Sequence, residues 1–418
     1  MAYFVWPYHD IPTIHLVGKL LFIPLLFFLI KDLRPIARRH RCVYGLLVGG
    51  LGYLFFAYYS VLWSVVPWET FKHVSEEVLF NLIVFLVALL WIYEAPEEYL
   101  KRLSKYVVLS FLCSILVYFL FYAYWLLKGP IFPVEQAPPR AEPIPLLFLL
   151  SDWHDLLLNR QNLASYFLFP ASMALGYLFY AQGARKISQG LFFLLLFVGM
   201  IFLTSKRSAL LGLFLGGIIG GLLAQRFKVL GLWFLLFLIV VVVIVATPLK
   251  RFFIRENFHL LLHGKREEWK TAGSIPMRYY GLPYYLDYIK KHPWKGIGFG
   301  RFNIKRNPVT RALAKKAHLA HAHNVFINMV LHLGLLGALF FLLFLFFSFL
   351  CLLRGVSISR ASPEAWLVLG FFIYFLAFWI RYQFDDSFRY ATSALYYLNS
   401  GLGVGLALRY RKNLLSSR

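Results

Sequence analysis

The chain has 418 residues, of which 60% are hydrophobic and 19% aromatic, and its formal net charge is +24. A soluble domain is about half apolar at most, so this composition excludes an ordinary soluble enzyme. In a soluble protein the positive charge would point to nucleic acid. Here it points first to anionic membrane lipids and orientation signals, and no nucleic-acid partner is expected.

The apolar residues come in blocks of about 16 to 25, the length a helix needs to cross the hydrocarbon core. The expected fold is an all-α polytopic membrane protein of about 11–12 transmembrane helices, with a long, partly helical periplasmic loop. In chain order the spans are expected at 12–30, 43–66, 78–94, 105–127, 162–181, 187–204, 208–224, 229–247, 323–352, 364–380 and 390–408. The opening "MAYFVWPYHDIPT" has no basic n-region and no small-residue cleavage site, so no removable signal peptide is expected. Cys42, Cys113 and Cys351 sit in or beside apolar blocks without a C-x-x-C pair and are expected as small buried residues.

The loops set the orientation. "KDLRPIARRHR" (31–41), "EYLKRLSK" (98–105), "ARK" (184–186), "QRFK" (225–228), "LLRGVSISR" (352–360) and "RYRKNLLSSR" (409–418) are basic and fall on alternate sides of successive spans. By the positive-inside rule they face the cytoplasm, as does the C-terminus. The opposite face holds 67–77, 128–161, the tight turn 205–207, the long segment 248–322 and 381–389. The long segment carries sixteen Lys and Arg although it is expected outside; long segments translocate largely regardless of charge. The expected organisation is therefore 1–247 as transmembrane helices 1–8, 248–322 as a long periplasmic catalytic loop, 323–408 as the last transmembrane helices, and 409–418 as a cytoplasmic tail.

Four stretches of the outer face carry candidate chemistry. In "DWHDLLLNRQNLASYFLFP" (152–170), Asn159, Arg160 and Asn162 stand at the start of the fifth span, where they would cap the helix or bind sugar. In "FLTSKRSALLGLFLGG" (202–217), Lys206 and Arg207 interrupt two apolar runs with almost no loop. Charge at that depth is a functional candidate by default, and a guanidinium held by helices on both sides suits phosphate recognition.

"IPMRYYGLPYYLDYIKKHPWKGIGFGRFN" (275–303) opens with Arg278, Tyr279 and Tyr280 and ends in a turn with Gly296, Gly298 and Gly300. The spacing is not that of a dinucleotide loop; the reading is a turn that brings backbone close to a ligand or a helix. "KKAHLAHAHNVFINMV" (315–330) places His318, His321 and His323, followed by Asn324, where polar chain meets an apolar run. Their spacing admits a metal site, one imidazole acting as general base, or histidines seated among lipid headgroups.

Taken in order, "NRQNLASYF", "TSKRSAL", "RYYGLPYYLDYIKKHPWKGIGFGRF" and "HAHNVF" resemble the O-antigen ligase and polymerase superfamily of bacterial envelope glycosyltransferases. The likeness runs from about 159 to 335, with Ser208 standing where the family commonly has glycine after the arginine. Family members generally have twelve spans, so the count here is eleven or twelve.

The resemblance implies a multi-pass enzyme of the bacterial inner membrane with its active site facing the periplasm. Its partners would be a glycan donor linked to undecaprenyl diphosphate, a lipid A–core acceptor and membrane lipids. It would need no metal and no cofactor, and would act by direct displacement with inversion. On that reading Arg207 and Arg278 clamp the diphosphate and His323 takes the acceptor's proton, while Lys206, His321, Asn324, Asn162, Arg160, Tyr279 and Tyr280 bind substrate.

O-antigen polymerases and protein O-oligosaccharyltransferases share these motifs and the donor. Three readings of other kinds stay open: a membrane transporter, a scaffold, and a metal-dependent transferase built on Asp385 and Asp386 or Asp152 and Asp155.

Overall fold

A backbone surrounded by hydrocarbon must satisfy its own N–H and C=O groups, and every element formed by the apolar runs is a helix; there is no strand among the described residues. The computed structural model describes residues 12–96, 98–99, 102, 109, 112, 160–203, 207–246, 274–317, 322–384 apart from 361 and 363, and 390–416. The helices are α1 (Pro12–Arg39), α2 (Arg41–Tyr59), α3 (Pro67–His73), α4 (Phe80–Glu94), α5 (Arg160–Tyr180), α6 (Ala184–Leu203) and α7 (Arg207–Ala224). They continue as α8 (Phe227–Ala246), α9 (Ser274–Lys291), α10 (Arg301–Arg306), α11 (Pro308–Ala317), α12 (Val325–Ser359), α13 (Ala365–Tyr382) and α14 (Tyr390–Ser416).

Among the described residues, six helical segments are long and apolar enough to cross a membrane: Arg41–Trp63, Pro67–Glu94, Ala184–Phe202, Arg207–Ala224, Val325–Ser359 and Ala365–Tyr382. The chain is an all-α polytopic membrane protein. The spans expected at 12–30, 162–181, 229–247 and 390–408 also fall on helices; the one at 105–127 lies almost wholly outside the described residues. Residues 67–77, expected as a loop, are helical from Pro67, with a 3-10 turn (Ser60–Trp63) before them and a π-helical turn (Val74–Leu79) after. Proline at the first helical position has the right φ and no N–H to waste. The basic stretch after residue 30 continues α1 to Arg39, and α14 runs past the expected boundary at 408.

The centre of the bundle is α13, buried along most of its length. It packs against α5, α7, α12 and α14. Without water to drive helices together, close approach relies on small residues. Gly212 of α7 lies against the Ala377 carbonyl, Gly216 against Ile373 and Ala377, and Gly220 against Leu369 and Ile373. The two helices are antiparallel in this register, which sets Arg207, the first residue of α7, level with Arg381 and Tyr382 at the end of α13.

The largest departure from expectation is in α12. An unbroken span was expected from 323 to 352, but Gly334 has φ +74° and ψ 178°, and the helix breaks there. Phe326 and Phe341 are fifteen positions apart, which would be about 22 Å along a straight helix. Their ring centroids are 6.2 Å apart. Tyr53 of α2 likewise reaches both sides of the break, with its hydroxyl 3.8 Å from Met329 Sδ and its ring 5.0 Å from that of Phe341. The segment 325–333 therefore folds back over the bundle, and 335–359 alone is the span, about 37 Å long.

A broken helix frees backbone groups, and at membrane depth these need partners. The glycine turn supplies them. Leu335 N donates to Pro293 O (2.8 Å), Ile297 N to Leu331 O (2.9 Å) and Gly298 N to His332 O (3.1 Å). A Cβ on Gly334 would collide with the Trp294 carbonyl. The other end of the turn is tied to the end of α2: Phe299 N donates to Ser60 Oγ (3.0 Å), and buried Asn303 bonds Ser64 Oγ (2.8 Å) and Thr70 Oγ1 (3.0 Å). Above the break, Tyr285, Ile297, Ile304, Ala322 and Leu331 form a second small core.

Gly334→Ala forces a side chain into a left-handed residue against a carbonyl, at a cost of about 1–3 kcal/mol. The detergent-solubilised variant should unfold several degrees below wild type in a thermal scan. An unchanged midpoint would mean that the close docking on the break is not a stability determinant.

Candidate functional site

The folded-back segment begins at the asparagine that follows His323. Asn324 caps it, accepting from Ile327 N (3.1 Å) through Oδ1. Its Nδ2 donates to Gln383 O (3.2 Å) and to Gln383 Oε1 (3.1 Å), both at the end of α13. On the other side, Ala322 N donates to the buried Asn328 Oδ1 (3.2 Å). His323, half-buried between these anchors, has φ +51°. A non-glycine residue in the left-handed region costs energy and persists only where its surroundings over-determine it. The observed strain singles out His323 as a candidate functional residue, set at the N-terminus of a helix, where the backbone dipole is positive.

The end of α13 carries a second feature. Arg381 is wholly buried. Its Nη1 donates to Ser165 Oγ of α5, and its guanidinium lies 5.1 Å from the centre of the Tyr382 ring. Ser165 Oγ and Tyr382 Oη are 2.9 Å apart. Neither Arg381 nor Ser165 figured among the sequence candidates. The available signal was a lone arginine in the last turn of "FFIYFLAFWIRY", where charge is expensive.

The other expected residues fall around this end as follows. Arg207 is exposed at the start of α7, level with Arg381. Arg160 and Asn162 occupy the first turn of α5, close in sequence to Ser165. Arg278, Tyr279 and Tyr280 lie in the first half of α9. The second half of α9 packs on the folded-back segment, with Tyr285 against Ala322 and Leu331 and with Ile327 beside them. Position 278 is thus two helical turns, about 10 Å, before the contact with the His323 turn. Burial pushes the Tyr285 hydroxyl above its ordinary range. Lys206 and His321 lie outside the described residues.

Among the described residues no group of three or more His, Cys, Asp or Glu has the arrangement of a metal site. Asp152, Asp155, His318, Asp385 and Asp386 lie outside the described residues. Cys42 and Cys351 are buried, as expected. Chemically, this end of the bundle offers an imidazole held in a strained turn and a guanidinium at the same level, which is what proton abstraction beside an anionic group needs.

Replacing Asn324 tests the turn. Asn324→Ala removes the cap and should lower stability by about 0.5–2 kcal/mol. Asn324→Asp keeps the cap acceptor but sets a carboxylate against the Gln383 carbonyl, and should lose its gain over alanine as pH rises and the carboxylate ionises. Thermal unfolding of the two variants across pH reads both effects.

A protein-family model described as O-Antigen ligase matches residues 192–342, a stretch that contains Arg207, Arg278 and His323. No curated protein matches the chain.

Proposed function

From a chain whose residues 192–342 carry an O-antigen ligase domain, which supports membership of the O-antigen ligase and polymerase superfamily, we propose a specific reaction. The protein moves a glycan from undecaprenyl diphosphate to a sugar hydroxyl of lipid A–core, at the periplasmic face of the bacterial inner membrane. The observation that carries this is the convergence of the Arg207 helix start and the strained His323 turn on one end of α13. The alternation of basic loops supports the orientation, with that end outside and the C-terminus in the cytoplasm.

The donor's phosphates ride at headgroup depth on their lipid tail. Arg207 and Arg278 grip them and stabilise the charge that builds as they leave. His323 accepts the proton of the acceptor hydroxyl. The freed oxygen bonds to the anomeric carbon from the face opposite the diphosphate, which departs with the electrons of the broken C–O bond, so the configuration inverts. Two guanidinium groups balance the leaving charge, so the reaction requires no metal and no cofactor. Lys206, Arg160 and Asn162 add polar contacts at the same end, Tyr279 and Tyr280 stack on sugar, and His321 faces the acceptor. Asn324, engaged by Ile327 and Gln383, holds the turn. The basic external segment favours the phosphate-rich lipid A–core over a second lipid-linked glycan or a protein hydroxyl. The domain reading that goes with this is 248–322 as a periplasmic catalytic loop between the transmembrane helices.

A transporter is the second reading, favoured by the broken helix at Gly334, since substrate sites in transporters are built at such breaks. Flux of a labelled lipid-linked glycan across proteoliposomes without new glycosidic product would support it.

The test is reconstitution with undecaprenyl-diphosphate-linked oligosaccharide and each acceptor in turn, with the product read as a gel shift. His323→Ala should lower the rate by about 10²–10⁴, and Arg207→Ala and Arg278→Ala by about 10²–10³ each, in protein that still accumulates in the membrane. Near-normal transfer by two of the three would sink the assignment. Transfer should persist in EDTA; activity lost there and restored by a divalent ion would favour the metal-dependent reading.

A further inference from the structure

We propose that Arg381 and Gln383 are positioning residues for this reaction: they fix the far end of α13 and, through Asn324, hold His323 in its strained turn. The proposal deepens the functional reading above and rests on His323 being the base.

The chain of contacts runs as follows. Arg381 is 0% exposed in the last turn of α13. Burying a guanidinium is costly unless the surroundings hold it with hydrogen bonds. Here it donates to Ser165 Oγ and lies over the Tyr382 ring, while Tyr382 Oη shares Ser165. Ser165 stands three residues after Asn162 in α5. Arg381 therefore fastens α5 to α13 at the level of Arg207, and this fixes where α13 ends.

Beyond Arg381 the chain turns tightly, with Gln383 N donating to Ile380 O (3.2 Å) and Phe384 N to Arg381 O (3.0 Å). The Gln383 side chain folds back, its Nε2 donating to Trp379 O (3.1 Å). That leaves Oε1 and the backbone carbonyl of Gln383 side by side to receive both Nδ2 contacts of Asn324. The ring of Phe326, two residues further on, lies tilted with its centroid 5.6 Å from that of Trp379, on the same turn of α13. The residue before Asn324 is His323, at φ +51°. A left-handed histidine needs such over-determination, and α13 supplies it on one side as Asn328 does on the other. Neither Arg381 nor Gln383 is required to touch the substrate. Their effect is on where the imidazole stands, and a displacement of about 1 Å in a catalytic group is worth up to about 10²-fold in rate.

The experiment compares wild type with Gln383→Ala, Arg381→Met and Arg381→Lys in detergent and in proteoliposomes. The donor is the undecaprenyl-diphosphate-linked oligosaccharide and the acceptor lipid A–core. We expect Gln383→Ala and Arg381→Met to lower kcat by about 10- to 100-fold while the donor KM stays within about twofold. The pH midpoint of the rate should shift, and Arg381→Lys should recover part of kcat. A second readout does not depend on turnover: diethyl pyrocarbonate labelling of His323, followed by peptide mass spectrometry, with exposed His292 as the internal standard. The labelling rate at His323 should change severalfold in Gln383→Ala and Arg381→Met, with His292 unchanged.

A fall in kcat with His323 labelling and the pH midpoint at wild-type values overturns the proposal, and so does wild-type behaviour in every variant. If Arg381→Met fails to give monodisperse protein, Gln383→Ala and Arg381→Lys decide. If wild type transfers glycan to no acceptor, the functional reading falls, and the labelling alone then decides whether the end of α13 controls the His323 turn.

Discussion

Three backbone hydrogen bonds between the glycine turn and the interrupted α12 hold the His323 end of the bundle in place. In hydrocarbon an unpaired peptide group costs several kcal/mol, so a helix broken at Gly334 is stable only if another strand of chain closes it. Residues 293–298 do so through Leu331, His332 and Leu335. The turn can lie so close because Gly296 and Gly334 present no side chain to the facing carbonyls. Once closed, the break lets 325–333 fold back, so that His323 stands beside the end of α13 and not a helical turn or more beyond it.

The second constraint is packing around α13. Small residues on α5 and α7 let both helices approach its backbone, and the resulting registers bring Ser165 and Arg207 to the level of Arg381. A residue of α5, the first residue of α7, the last turn of α13 and the cap of α12 thus share one level although they are separated by up to about two hundred positions of sequence. The polar contacts among them, Arg381 to Ser165 and Asn324 to Gln383, are few, but low dielectric makes each one strong and makes its loss costly.

How much of this could be read from the residues varies with the range of the physics involved. The helices were legible because a 16- to 25-residue apolar run has essentially one option in a bilayer. Arg207 and His323 stand out as candidates because charged and titratable side chains at the edge of such runs are expensive. The break at Gly334 was not legible: "LHLGLLGALFF" reads as uninterrupted apolar helix, and glycine inside it also fits plain helix packing. Arg381 reads in the sequence as one more charge of the segment 381–389, because nothing local says that the last turn of α13 packs against α5. The helix at 67–73 was hidden by Pro67, which reads as a loop signal but is well suited to the first helical position.

What the sequence by itself determined, then, is the material: helices that must cross a membrane, a basic segment between two groups of them, and histidines and arginines at the edges of apolar runs. Hydropathy and charge act residue by residue, so they can be read along the chain. Only the tertiary structure decided that 325–333 doubles back, that the glycine turn closes the break, and that Arg381 and Gln383 stand behind Asn324. Those outcomes depend on which backbone groups find each other across the bundle, and such pairings are settled by packing between elements far apart in sequence.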